Sequence, residues 1–300
     1  MAMLNYVMKL KNNSLKSMEN NFAVFILTHG RPDNVKTFST LKKCGYTGKV
    51  YFIIDNEDKT IDKYIQNFGK ENIVVFDKKA MADSIDEGNN FDNRKVIIHA
   101  RNACFKIAND LDIKYFIQFD DDYTSFDYRV VINDKANVVP IKNLNVYLVK
   151  MLEYYKSSNF LSIAFAQGGD FIGGLDNGKG LYRFSKRKCM NSFLCSTDRE
   201  FSFFGSINED VNTYTTLGNR GNLFLTIPFV SLTQTATQSN KGGMTDQYAL
   251  SGTYVKSFHS VLMHPSGVKV SMMNSLHPRL HHSIKWINTV PCIIDPKHKK

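Results

Sequence analysis

Residues 115–123 read YFIQFDDDY. The run up to Phe119 is mostly aromatic and aliphatic, a short apolar stretch typical of a strand buried on both faces. Three carboxylates then follow without a spacer: Asp120, Asp121 and Asp122. A single acid at a strand end is ordinary, because acids stop strands and cap helices. Three in a row are not. Carboxylates this close repel and raise one another's pKa unless a cation or hydrogen bonds compensate. A hard divalent cation such as Mg2+ or Mn2+ takes carboxylate oxygen and keeps substrate phosphates in its shell. The stretch therefore reads as a strand that delivers a metal and a diphosphate to the edge of a sheet. A solvated acidic turn is the alternative.

Working outward, Phe22–Thr28 (FAVFILT), Lys49–Asp55 (KVYFIID) and Asn72–Asp77 (NIVVFD) are further short apolar runs. Helical spacing of apolar residues occupies Asp33–Cys44, Thr60–Phe68 and Val96–Leu111 between them. Strand and helix alternate, which predicts βαβ units and a Rossmann-like, mainly parallel sheet. Right-handed crossovers put the strand C-termini on one edge, where such sheets bind ligands. Thr28, His29, Gly30 and Arg31 fall at that edge, as do Asp55, Asp77 and the acid triplet. Beyond residue 125 the pattern is mixed α/β. Strands are expected at Tyr128–Ile132, Phe160–Ala166 and Leu223–Leu232. Helices are expected at Leu144–Tyr155, Val211–Leu217 and Thr245–Phe258, and a hairpin at Ser260–Met272 turning at Pro265–Gly267. No linker or repeat breaks the chain, so residues 1–300 are expected to form one α/β domain.

Hydrophobic residues make up 43% and charged residues 22% of the chain, enough for a large core and too apolar for a disordered protein. The net charge of +10 favours anionic partners. The five cysteines are odd in number and none has CxxC spacing, so neither a zinc ribbon nor a disulfide framework is indicated, and a reducing compartment fits. The N-terminal residues have no signal-peptide core, and no window approaches the ~18 apolar residues of a membrane span, so a cytoplasmic protein is expected. Basic residues gather at Lys179, Arg183, Lys186, Arg187, Lys188 and Arg199, with Tyr182, Phe184 and Phe193 among them. Such a stretch can track phosphates and stack bases; Arg183, Arg187 and Lys188 are its candidate nucleic-acid contacts. A surface loop of any basic protein would look similar.

A strand ending in Asp-x-Asp late in a βαβ sheet resembles the nucleotide-sugar half of a GT-A glycosyltransferase. FILTHGRPDNV (25–35) resembles the loop that cups the nucleotide base, and FIIDNED (52–58) the strand whose terminal acid, here Asp55, reads that base. HARNACFKIA (99–108) resembles the Ala-Arg-Asn helix beneath the nucleotide sugar, here Arg101 and Asn102. NED (208–210) resembles the Glu-Asp pair of inverting members, in which a carboxylate acts as base. SLHPRLHHSIKWINTVPCII (275–294) resembles the TET-associated glycosyltransferases, relatives of the base J glucosyltransferase found largely in bacteriophages and in hosts with hypermodified DNA.

The resemblance implies a GT-A fold, with a nucleotide-sugar half at 22–125 and an acceptor half at 126–300. It implies transfer from a nucleotide sugar, UDP-linked by default, to the hydroxymethyl group of a modified pyrimidine in DNA. Thr28, His29, Arg31, Asp55, Arg101, Asp120 and Asp121 would bind the donor. Asp120, Asp122 and His281 would hold Mn2+ or Mg2+, with His282 as the alternative histidine. Asp210 would be the base and Glu209 would orient the acceptor or the sugar. A glycosyltransferase acting on a protein, lipid or glycan shares the donor half. A non-catalytic nucleic-acid-binding protein would have no use for a diphosphate site. A nucleotidyltransferase would carry a Gly-rich, Lys-bearing N-terminal signature, which is absent.

Overall fold

The computed structural model describes residues 21–85, 94, 96–132, 135–167, 186–235, 255–273 and 278–291. Four strands build the first half of the sheet: β1 (Phe22–Leu27), β2 (Lys49–Asp55), β3 (Ile73–Phe76) and β4 (Tyr115–Asp120). They pair in parallel, with β1 between β2 and β4. β1 is buried throughout. Its alternate residues serve opposite faces, as the pleat requires. Phe22, Val24 and Ile26 join one apolar cluster, and Ala23, Phe25 and Leu27 join the other.

Helices cover both faces. α1 (Lys36–Lys43), α2 (Ile61–Phe68) and α5 (Leu144–Ser157) contribute Leu41, Tyr64, Leu148 and Tyr155 to the first cluster. α4 (Ile98–Asp110) and α6 (Glu209–Asn219) contribute Cys104, Phe105, Val211 and Tyr214 to the second. A short helix, α3 (Lys78–Asp83), follows β3, capped by Asp77, whose carboxylate accepts from Ala80 N.

The second half of the sheet is mixed. It comprises β5 (Tyr123–Ile132), β6 (Lys135–Pro140), β7 (Ser162–Gln167), β8 (Phe193–Ser196) and β9 (Phe224–Gln234). The nine strands lie in the order β3-β2-β1-β4-β8-β7-β9-β5-β6. Only β7–β9 is parallel among the pairs beyond β4. A separate antiparallel hairpin, β10 (Val268–Met273) and β11 (Arg279–Ile284), follows a helix, α7, described over 255–263. Trp286, just past β11, stacks on Tyr214 of α6 with ring centroids 6.1 Å apart. That contact docks the hairpin against the sheet-bound part of the molecule. No helix among the described residues is long and apolar enough to cross a membrane.

Three expectations are corrected. α1 begins at Lys36 rather than Asp33, because Asn34 N bonds Arg31 O and turns the chain before it can wind. β8 occupies part of the stretch read as a basic loop. Its sequence FLCS holds three apolar residues and a serine, and all four are buried. The segment after Ser260 stays helical to 263, so the hairpin starts at Val268 rather than turning at Pro265–Gly267.

Candidate active site

The strand order reverses between β1 and β4, the position at which an open sheet offers a crevice. The acid triplet sits there, and α1 cradles it. Thr37 N–H donates to Asp121 O (3.1 Å) and Thr37 Oγ1 to Asp120 O (2.6 Å). Thr37 Oγ1 also accepts from Tyr123 N at 2.9 Å, and Thr40 Oγ1 donates to Tyr123 O at 2.9 Å. From this turn the chain leaves for β5, with three strands lying between it and β4 in the sheet.

Each acid has a different surrounding. Asp121 is buried and tied to the loop after β1. Arg31 Nη1 lies 3.1 Å from Asp121 Oδ1, and Thr28 Oγ1 donates to Asp121 Oδ2 at 2.8 Å. Tyr64 Oη accepts from Arg31 N (2.8 Å), which leaves its proton for Thr28 Oγ1, also at 2.8 Å. Burial raises the Asp121 carboxyl, against the pull of Arg31 and Thr28. Asp120 faces Arg101, whose Nη2 is 3.0 Å from Asp120 Oδ1. Burial still pushes its carboxyl up to about 7, with Asp122 and Glu209 adding to the effect. Asp122 is partly buried and raised to about 6 by burial and by Asp121, only partly offset by Arg31 and Lys36.

At the end of β2, Asp55 is buried beneath the same loop. His29 Nδ1 lies 2.6 Å from Asp55 Oδ2, and Lys78 Nζ 3.3 Å from Asp55 Oδ1. Burial pushes the Asp55 carboxyl up, but His29 and Lys78 outweigh it and hold the group below its ordinary value. Gly30 N donates to Asp58 Oδ2 at 2.7 Å. The His29 side chain is half exposed at this rim.

Arg101 connects the end of β4 to the start of α6. It is 1% exposed. Its Nε donates to Glu209 Oε1 at 2.8 Å while Nη2 serves Asp120. Its guanidinium also packs over the rings of Phe193 and Phe203, at 5.1 and 5.7 Å from their centroids. Adjacent residues of a helix point to different sides, and Asn102 faces the backbone of the loop before α6. It accepts from Phe203 N (2.8 Å) and donates to Phe203 O (3.2 Å). Asn212 Nδ2 holds Phe204 O and Ile207 O in the same loop. Asn208 adopts a left-handed conformation (φ 54°) that Asn tolerates better than most residues, and starts α6. Glu209 and Asp210 thus lie in the first turn of a helix, both buried. Burial and the neighbouring Glu209 push the Asp210 carboxyl up, against Val211 N–H, Arg101 and Lys188.

The histidines lie elsewhere than the sequence suggests. His281 and His282 are consecutive on β11, with ring centroids 4.2 Å apart. Lys188 Nζ is 3.3 Å from His281 Nε2 and 3.0 Å from His282 Nε2. Burial and Lys188 lower both imidazoles, His281 to about 4 and His282 to about 2. Uncharged, each presents its Nε2 lone pair to the ammonium. Among the described residues no three His, Cys, Asp or Glu side chains are gathered as a metal-holding group. The trio Asp120, Asp122 and His281 is therefore not assembled as expected. The two carboxylates do suit a hard cation, since one or two of them plus substrate phosphates are a usual Mg2+ donor set. Asp122, partly buried and only partly offset, is the better placed of the two.

The nucleic-acid expectations change as well. Arg183 lies outside the described residues. Arg187 is buried at 8% exposure, and Lys188 points inward to the histidines. Lys36, Lys256 and Thr37 stand at the site without any local sequence signal.

A family model describing the TET-associated glycosyltransferases matches residues 22–243, nearly three quarters of the chain's 300 residues. The chain belongs to the TET-associated glycosyltransferase family. It is a glycosyltransferase of GT-A fold. The match runs from β1 past β9 and includes the acid triplet, Arg101 and the Glu209–Asp210 pair. Among solved structures, the TET-associated glycosyltransferase is similar to glucosyl-3-phosphoglycerate synthase from Mycobacterium tuberculosis, in a crystal structure with Mg2+ and uridine diphosphate. The TM-score is 0.48 at 7% identity, covering 90% of this chain and 91% of that one. It is also similar to S. aureus TarS, residues 1–349, at a TM-score of 0.40 and 13% identity, covering 73% and 61% of the two chains. No curated protein matches the sequence.

Proposed function

We propose that this glycosyltransferase moves a sugar from a nucleotide sugar, UDP-linked by default, to the hydroxymethyl group of a modified pyrimidine in DNA, with a divalent cation and with inversion. The observation that carries the transferase chemistry is the span of Arg101, with Asp120 on one side and Glu209 on the other. It joins a carboxylate suited to a metal–diphosphate to the helix terminus that bears Asp210. Support for the DNA acceptor is the family's description and the net charge of +10.

In this reading the loop after β1 binds the nucleotide through His29 and Arg31, with Thr28 and Asp121 holding that loop in shape. Asp122 and Asp120 hold Mn2+ or Mg2+, which supplies neutralising charge for the leaving diphosphate. Asp210 takes the proton from the acceptor hydroxyl, and its raised pKa makes it a stronger base than an exposed carboxylate. Glu209, already bound to Arg101, orients its neighbours. A site this recessed calls for a target base turned out of the helix.

The test is incubation with a panel of nucleotide sugars and either hydroxymethylated or unmodified DNA, read by the mass of the digested nucleosides. Added sugar mass on the hydroxymethylpyrimidine alone is the expected outcome. Transfer only to a glycan, lipid or protein acceptor would replace the DNA reading and leave the donor assignments standing.

A further inference from the structure

Two hydroxyls stand where the entry to β8 would meet its neighbours. Continuing the β4–β8 register two residues past Gln118–Phe193 sets Asp120 opposite Asn191. A ladder carried that far would join the two backbones directly. Instead the Tyr123 hydroxyl lies between them, accepting from Asp120 N at 3.1 Å and donating to Asn191 O at 2.5 Å. On the other side, the β7–β8 pairing at Ile163–Leu194 continues to Phe165 opposite Ser192. There Phe165 N meets Ser192 Oγ at 2.9 Å. The chain bends at the same point. Asn191 has a φ of 57°, and Ser192 N bonds Met190 O at 2.6 Å across it. A three-residue turn of this hand is strained. Asn191 Nδ2 also donates to Gln234 Oε1 at 2.7 Å, at the end of β9. Tyr123 itself is fully buried, its ring edge-on to Phe119 and Phe126 at centroid distances of 5.4 and 6.0 Å. Packing thus fixes where its hydroxyl sits. The one hydroxyl proton goes to Asn191 O, so a lone pair faces Asp120 N–H. A phenylalanine would fill the core as well, but only the hydroxyl links the end of β4 to Asn191.

We propose that Tyr123 is a positioning residue of this glycosyltransferase, a spacer whose hydroxyl sets the acid triplet at a fixed distance from the entry to β8 and so fixes the carboxylates that receive the cation. This role rests on the reading of Asp120 and Asp122 as the cation's ligands. The remainder of the turn is pinned by other elements: Thr37 of α1 donates to the carbonyls of Asp120 and Asp121, and Thr235 N to that of Asp122 at 3.1 Å. Tyr123 supplies the anchor at the amide of Asp120, where β4 stops. A small hard cation such as Mg2+ tolerates little play in its oxygen ligands, so carboxylates on a turn gain from a backbone fastened at every point. The strained bend at Asn191 is what such a spacer requires. An extended Asn191 would carry the entry to β8 straight up against Asp120 and narrow the strand-end crevice.

The experiment uses the full chain, with UDP and Mn2+ as probes titrated by calorimetry and the melting temperature as a check on folding. The unaltered protein should bind UDP more tightly with Mn2+ than without it. Tyr123→Phe should weaken UDP binding in Mn2+ by about tenfold or more, the usual effect of losing a group that orients metal ligands, and leave metal-free UDP binding unchanged. A tyrosine that served only to pack the core would lower the melting temperature and leave the metal-dependent gain alone. A second pair of variants approaches the bridge from its other end. Asn191→Val cannot comfortably hold a φ of 57°, so it should displace the carbonyl and reproduce the loss. Asn191→Gly keeps that backbone and should lose much less. Metal-dependent binding equal in Tyr123→Phe and the parent would overturn the role of Tyr123. Equal losses in the two Asn191 variants would overturn it too, and they decide the matter where Tyr123→Phe does not fold. UDP binding by the parent that ignores Mn2+ would overturn the cation reading itself, and the positioning role with it.

Discussion

A single buried guanidinium holds two carboxylates that come from opposite sides of the cleft: Arg101 Nη2 is 3.0 Å from Asp120, and Arg101 Nε is 2.8 Å from Glu209. The fork geometry of arginine suits this double duty, and an ammonium cannot reproduce it. The acid at the end of β4 and the acid at the start of α6 are thereby kept at a fixed separation.

Arg101→Lys should therefore fold but transfer poorly, with turnover reduced by about two powers of ten, because the two carboxylates lose their common template. Arg101→Ala should be worse in a second way. It leaves two partly or fully buried carboxylates without their cation, an arrangement that costs about 3–5 kcal/mol. Steady-state kinetics and chemical denaturation of both variants separate the effects. Wild-type turnover in Arg101→Lys would show that the tie is dispensable.

Asp210 predicts a pH profile. Its carboxyl is raised to about 6, mainly by burial and by Glu209. Below that pH the group keeps its own proton and cannot accept another, so kcat/KM should climb with pH through about 6 and then level. Asp210→Asn should remove this limb and lower turnover by about two powers of ten or more, with UDP affinity kept. Stability carries the opposite sign. A carboxyl raised on folding destabilises the native state above its folded pKa, and the penalty vanishes as pH falls toward the ordinary value of about 4. Asp210→Asn should thus melt higher than the parent at pH 8 and no higher at pH 4.

Asp122 predicts the metal dependence. A chelator should abolish transfer and Mn2+ or Mg2+ should restore it, with Asp122→Ala losing metal-dependent UDP binding while remaining folded. Calorimetry with and without the cation checks this. Full transfer in the presence of chelator would exclude the proposed cation role.

Gly218 predicts a mechanical link. A Cβ built at this position in α6 would sit 2.0 Å from the carbonyl oxygen of Thr289. Backbone cannot give way so far, so Gly218→Ala should push the segment after β11 off α6 and disturb the Trp286–Tyr214 stack. Trp286 emission should shift to the red and acceptor KM should rise, while UDP binding, which draws on the distant β1 and β2 loops, should hold. Unaltered Trp286 emission would mean that the hairpin is docked by other contacts.

The first half of the fold was legible because its signals are local. Runs such as FAVFIL and KVYFIID are too short and too apolar for anything but buried parallel strands, and β1, β2 and β4 lie within a residue of their expected limits. The place of the acid triplet at the strand-end edge followed from the same pattern. β8 was hidden because three apolar residues and a serine are too few to carry a periodicity. The placement of Lys188 and Arg187 was hidden for a related reason. Charge in a sequence suggests exposure, whereas Arg187 is buried and Lys188 meets His281 and His282, some 90 positions away. The Ala-Arg-Asn motif marked Arg101 as important, yet nothing near it announces Glu209, which lies 108 residues on.

That separation bears on how the protein is made. Arg101 leaves the ribosome long before Glu209 does, and β4 likewise precedes its neighbour β8, whose residues start at Phe193. A nascent chain that ends between them has a guanidinium ready to be enclosed and only Asp120 to meet it. Enclosing such a charge half-matched costs several kcal/mol, so the early product of synthesis should keep that helix face wet and the strand-end crevice loose. Consolidation waits for the segment that supplies α6. The cell is thereby spared a half-made chain that could grip and waste activated sugar before the means to pass it on exists.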